Sequence, residues 1–206
     1  MTVDPTQHES RDVYKLLIGS VVPRPIGFIS SVSADGVRNL APFSFFNAVC
    51  QNPPTVIFSA GLKGASSADK RKDTLRNVQE TGEFVVNIVG SDIAAAMNTT
   101  SGDYAPEIDE FEVAGLTPIA SETVRPARVK ECRVQMECRA TQFVTVSDKP
   151  GGACIVVGEV VRIHVDDGIV DGYKIDPAKL DAIGRMGGNT YARTTDRFDL
   201  ERPVVK

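Results

Sequence analysis

Histidine is nearly absent from this chain: of 206 residues, only His8 and His164 carry an imidazole. A Ser-His or Cys-His nucleophile system would have to use His164, which lies in a β-rich run where a lone histidine is normally satisfied structurally. Cysteine is also sparse. Cys50, Cys132, Cys138 and Cys154 are widely spaced with no CxxC pair, which argues against a zinc site and a disulfide framework; we expect four reduced core residues. No stretch approaches the roughly 18 apolar residues of a membrane span, and residues 1–11 are polar and acidic rather than signal-like. The expectation is a cytoplasmic protein without a membrane partner. Basic excess is missing too: a net charge of -4 and a pI near 5.3 supply no field for a phosphate backbone. Nucleic acid is therefore excluded as the main partner, and any anion site must be local. The chain also lacks a P-loop, a GxGxxG fingerprint after a strand, a GxSxG elbow and an HExxH helix. Such scarcity of acid–base machinery suits an enzyme whose chemistry belongs to a cofactor.

What is present is enough apolar content, 42%, to bury one sizeable core. We read a polar leader over residues 1–13 and one domain over 14–206. Short β-rich runs dominate. Residues 26–32 lead to Asp35-Gly36, a two-residue hairpin signal, and 37–49 continue as a strand in which Pro42, lacking an amide donor, must sit at an edge, a bulge or a ligand-facing position. Residues 55–59 and 84–89 read as buried strands. Between them a helix is expected over about 69–80, with Ser66 or Ser67 as N-cap and Gly82 as its stop. A second short helix follows Ser91 through Ala94-Ala95-Ala96. Residues 98–127 show little period and form a long excursion, either a dimer-packing arm or the wall of a pocket. Runs 129–146 and 153–165 are joined by the loop Lys149-Pro150-Gly151-Gly152. Hairpin connections with few crossover helices give an antiparallel barrel or sandwich, mainly β (α+β).

Three stretches stand out chemically. Lys70-Arg71-Lys72-Asp73-Thr74 places cations at a helix start, where the macrodipole favours acids; a phosphate bound by helix amides, lysine and threonine would resolve the conflict, while a solvated charged turn would not need it. Asn39-Leu40-Ala41-Pro42-Phe43-Ser44-Phe45-Phe46-Asn47 combines a proline, two asparagines and three phenylalanines, either as a packed strand or as an edge presented to a planar heterocycle. Arg185-Met186-Gly187-Gly188 is a glycine-bearing loop.

These stretches, with Pro23-Arg24-Pro25-Ile26, Pro53-Pro54, Gly82-Glu83-Phe84-Val85-Val86-Asn87, Gly158-Glu159-Val160 and Asn189-Thr190-Tyr191, occur in an order and spacing that resembles the flavin reductase-like family of FMN-binding split barrels. The branch is the one related to flavoredoxin and to the reductase components of two-component monooxygenases. The resemblance runs from about Tyr14 to Tyr191. It implies a six-stranded or similar antiparallel barrel with peripheral helices, a homodimer, and FMN held without a covalent bond near the dimer interface. By the same resemblance, Asn39, Ala41, Pro42, Phe43 and Ser44 face the flavin, and Lys72, Asp73 and Thr74 hold its phosphate. Arg24, Pro25, Arg185 and Tyr191 would line the open side of the ring. The implied activity is electron transfer from NADH or NADPH through flavin to a monooxygenase or another acceptor protein. The alternatives are a flavoredoxin-like electron carrier and an FMN enzyme acting on an organic substrate. Two departures touch the nicotinamide-facing surface: Gly27 stands where alanine is often found, and tryptophan is absent.

Overall fold

The computed structural model describes residues 1–63 and 69–205. Its strands are β1 (Arg24–Pro25), β2 (Gly27–Val32), β3 (Arg38–Phe43), β4 (Phe46–Gln51), β5 (Pro54–Gly61), β6 (Glu83–Ile88), β7 (Pro118–Ile119), β8 (Arg128–Val129), β9 (Val134–Thr145), β10 (Ala153–Val165), β11 (Val170–Asp171), β12 (Lys174–Ile175), β13 (Ile183–Arg185) and β14 (Tyr191–Arg193). The helices are α1 (Ser10–Ser20), α2 (Asp73–Thr81), α3 (Ala94–Thr99), α4 (Glu110–Ala114) and α5 (Pro177–Leu180).

One antiparallel sheet of seven strands, in the order β3-β2-β6-β9-β10-β5-β4, forms the body. Its two edge strands are consecutive in the chain and separated only by Ser44 and Phe45. In a flat sheet the edges would lie about 29 Å apart, whereas three residue steps reach about 11 Å. The sheet therefore curls until β3 and β4 meet, which makes it a barrel. The join is tied by Ser59, whose amide donates to the Phe45 carbonyl at 2.8 Å, and by the Phe43 and Phe58 rings, 4.9 Å between centroids.

Two cores result. Alternate residues of the strands point inward, so Ile29, Phe58, Phe84, Val86 and Val156 fill the barrel, and α2 adds Leu75 and Val78. The opposite face of β2 and β3 gives Phe28 and Leu40, which pack with Met97, Phe111, Leu116 and Val129 in a second cluster. The 98–127 excursion is thus largely the outer cover of β2 and β3, with α4 and the β7–β8 hairpin as its local structure. All six residues of β2 are buried as a result.

The strand pattern matches the sequence reading, with four corrections. The first hairpin turns through 33–37, closed by Ser33 and Val37, rather than through two residues; Gly36 sits within it at φ 91. The run 37–49 is two strands, because barrel closure breaks it at Ser44-Phe45. Helix α2 begins at Asp73, with Lys72 at the N-cap position and Gly82, at φ 73, as the left-handed stop; Ser66 and Ser67 lie outside the described residues. Cys132, Cys138 and Cys154 are buried, but Cys50 is exposed, because it lies on the edge strand β4 where no layer covers it. Helix α1, amphipathic yet without a buried residue, straddles the boundary drawn at residue 14. Among the described residues, no helix is long and apolar enough to cross a membrane.

Candidate functional site

Strand β3 is an edge strand, so one side of its backbone is not paired by the sheet. Pro42 occupies that edge without removing a ladder bond. Three clefts meet there, of about 770, 500 and 320 Å³, and Pro42 lines all of them. Together they make one groove along β3 and the β3–β4 join. Asn39, Ala41, Pro42, Phe43, Lys72, Asp73 and Thr74 line the 500 Å³ part; Arg24, Pro42, Ser44, Arg185 and Tyr191 line the 320 Å³ part. Pro25 is left out. It is exposed in β1, paired with Gly184, because successive strand residues point to opposite faces and Arg24 takes the groove side.

The α2 end of the groove has the character of an anion site. No side chain caps α2, so the amides of Asp73, Thr74 and Leu75 have no intrahelical acceptor. Lys72 is half-exposed beside them, with Nζ 3.8 Å from Asp103 Oδ1. The other two cations are occupied elsewhere: Arg71 pairs with Asp69 at 2.9 Å and Lys70 donates to the Asp148 carbonyl at 3.4 Å. Asp73 is held by Arg76 at 2.6 Å and Lys63 at 3.4 Å. It enters the groove as the counter-ion of these cations.

Thr74 and Asn39 form the buried floor. Thr74 Oγ1 donates to Asn39 Oδ1 at 2.7 Å, and Ser31 Oγ donates to the same oxygen at 3.1 Å. Asn39 Nδ2 donates to Glu110 Oε1 at 2.8 Å, and the Leu40 amide donates to Glu110 Oε2 at 2.9 Å. Burial pushes the Glu110 carboxyl pKa up, against the lowering effect of these bonds. Asn77, next in this network, keeps a buried Oδ1 with no partner among the described residues. Glu110 was not legible as a site residue, since the acidic stretch around it reads as solvated.

At the other end, Arg24 is only 5% exposed. Its guanidinium donates to the carbonyls of Ile18, Val21 and Met186 at 2.6, 2.8 and 2.8 Å, and to Ser44 Oγ at 3.4 Å. It ties the C-terminus of α1, the β3–β4 join and the 186 loop together. Arg185 stacks over the Tyr191 ring, 4.5 Å from its centroid. Among the described residues no group of three or more His, Cys, Asp or Glu side chains is arranged to hold a metal. Burial raises the thiol pKa of Cys132, Cys138 and Cys154, so these sulfurs stay protonated and unreactive.

Residues 18–176 match the model of the flavin reductase like domain. The chain belongs to the flavin reductase like family. A protein of Aquifex aeolicus (strain VF5) is 42% identical over 190 residues, covering 92% of this chain and 93% of that one. Among solved structures, this family member is similar to nitrilotriacetate monooxygenase component B from Bacillus cereus, 38% identical with a TM-score of 0.92, covering 97% of this chain and 98% of that one. It is also similar to the 2-nitrobenzoate 2-nitroreductase of Pseudomonas fluorescens, at 30% identity and a TM-score of 0.88, covering 98% and 96%. The family resemblance read from the sequence motifs holds, and with it the antiparallel split-barrel fold.

Proposed function

We propose that this flavin reductase like protein binds FMN in the groove along β3 and uses it to pass electrons from NADH or NADPH to a free flavin, an oxygenase partner or another acceptor. The observation that carries this is the uncapped start of α2 with Lys72 beside it, at one end of a groove that continues past Pro42. The residues fit the group: open helix amides and a lysine suit a phosphate, and the groove alongside offers an edge strand and apolar walls to a planar ring. When bound, the flavin supplies the redox chemistry, accepting hydride from the nicotinamide and releasing electrons to the acceptor.

The chain's own part is binding and orientation, so no general base is required. Lys72 and the amides of Asp73 to Leu75 would hold the phosphate. Asp73 keeps Lys63 and Arg76 in place, and Phe43 closes the barrel side of the groove to water. Thr74, through Asn39 and Glu110, fixes the path of β3. Arg24 fixes the opposite rim. A second reading, FMN serving an organic acceptor within one protein, is favoured by the near full-length similarity to a nitroreductase.

The test is anaerobic addition of NADH and, separately, NADPH to the FMN-loaded protein while the visible flavin band is followed. Rapid bleaching with one of them supports the oxidoreductase. Failure with both, combined with reduction by a protein donor, would leave an electron carrier instead.

A further inference from the structure

The 320 Å³ cleft at the Arg185 end of the groove takes walls from α1, α3 and the β3–β4 join, and it takes Arg24, Arg185 and Tyr191 from the small sheet β1-β13-β14. Arg24, Arg185 and Tyr191 are directly paired across its three strands. Directly opposite residues share a face, so all three side chains belong to one side of this sheet. Arg24 spends its donors on three backbone carbonyls and the Ser44 hydroxyl. Arg185 does not. Its one hydrogen bond among the described residues goes from Nη2 to the Gly188 carbonyl at 2.6 Å, and no acid pairs with it. Tyr191 supports the guanidinium from one side, and its hydroxyl donates to Asn98 Oδ1 at 3.3 Å, leaving the Asn98 amide NH₂ as a further donor. The cleft has two cations and no acid in its lining, while Ile18, Ile26 and Met97 give it an apolar floor.

From this we infer that the cleft is a subsite for a small organic acid, with Arg185 binding its carboxylate and the apolar floor receiving its carbon skeleton. A carboxylate matches the planar guanidinium fork in two parallel bonds. The volume holds a single ring or a short chain. The inference rests on the proposed function only in taking the acid as a second substrate at the Arg185 end of the groove, with FMN held from the α2 end; Pro42 lines both parts.

The experiment titrates benzoate, benzamide and inorganic phosphate into FMN-loaded wild type, Arg185→Gln and Arg185→Lys, reading the flavin difference spectrum and calorimetric heat. FMN affinity is measured first for each protein. We expect wild type to bind benzoate more tightly than benzamide or phosphate, Arg185→Gln to raise the benzoate dissociation constant about tenfold or more, and Arg185→Lys to retain part of the affinity. Benzoate binding no tighter than benzamide, or unaffected in Arg185→Gln, would overturn the subsite. Phosphate binding as tightly as benzoate would also overturn it, by showing an unselective anion site. Should wild type take up no FMN, the proposed function fails by itself, and the calorimetric benzoate titration of the same protein still judges the subsite.

Discussion

Lys72 and Thr74 lie two residues apart and have different tasks. Lys72 reaches solvent beside the open helix amides, whereas Thr74 is 2% exposed and its hydroxyl proton is committed to Asn39. The sequence reading treated both as phosphate ligands, because spacing alone does not show which hydroxyl is already bonded. We predict that Lys72→Ala raises the FMN dissociation constant about tenfold to a hundredfold with little change in stability, since a charge-assisted bond is worth about 1.5–3 kcal/mol. Thr74→Val should instead cost about 1 kcal/mol of stability and act on affinity only indirectly. Fluorescence quenching by the protein on FMN titration, with urea denaturation alongside, separates the two; unchanged affinity in Lys72→Ala would remove the phosphate assignment. Arg24 teaches the same lesson, since its acceptors at Ile18 and Met186 come together only in the fold. Gly27 is the converse case: a Cβ there would lie 2.7 Å from the Phe46 ring, so the closing of β4 onto β2 explains why alanine is missing.

At the scale of elements, apolar runs bounded by turn signals made β5, β6, β9 and β10 legible, and Gly82 marked the end of α2. Helix α1 was not legible: it buries none of its residues in the core, and its apolar side chains Tyr14, Leu16 and Leu17 stay exposed. The excursion was unreadable for a related reason: its order comes from single long-range anchors. Chief among them is Glu137 of β9, fully buried, whose carboxylate accepts from the Glu122 amide at 2.8 Å, the Thr123 amide at 2.6 Å and hydroxyl at 2.5 Å, and bonds His164 Nε2 at 2.6 Å. Burial alone would raise this pKa, but the bonds from Glu122, Thr123 and His164 outweigh it and hold it at about 2 rather than the ordinary 4.5. A depressed carboxyl pKa contributes stability that is complete above pH 4.5 and lost as pH falls through about 2. The amount is about 3 kcal/mol. We predict that Glu137→Gln is less stable than wild type by roughly that amount at pH 7, and that the gap narrows steadily between pH 5 and pH 2. Urea denaturation across that range reads it, and a gap independent of pH would refute the role given to the ionised carboxylate.

For the molecule as a whole, the β-rich pattern and the order of motifs gave the barrel, while its closure depended on a two-residue join that reads as strand interior. The barrel also leaves an outer apolar surface that is only partly covered. Val56, Phe58, Cys154 and Val156 point inward, so Ile57, Ile155 and Val157 point outward, and Val144, paired with Ile155, extends the patch at 46% exposed. Strand β4 beside it is exposed along most of its length. We predict a homodimer through this face, with light scattering giving twice 22.2 kDa at micromolar concentration; a monomer with FMN bound would contradict it. The proposed function rests on the groove, where the proposed phosphate end is the part tied most firmly to particular atoms. The decisive measurement is therefore the affinity of the apoprotein for FMN against riboflavin, which differ only by the phosphate. The account predicts that FMN binds at least about tenfold more tightly. Equal affinities for the two would contradict it.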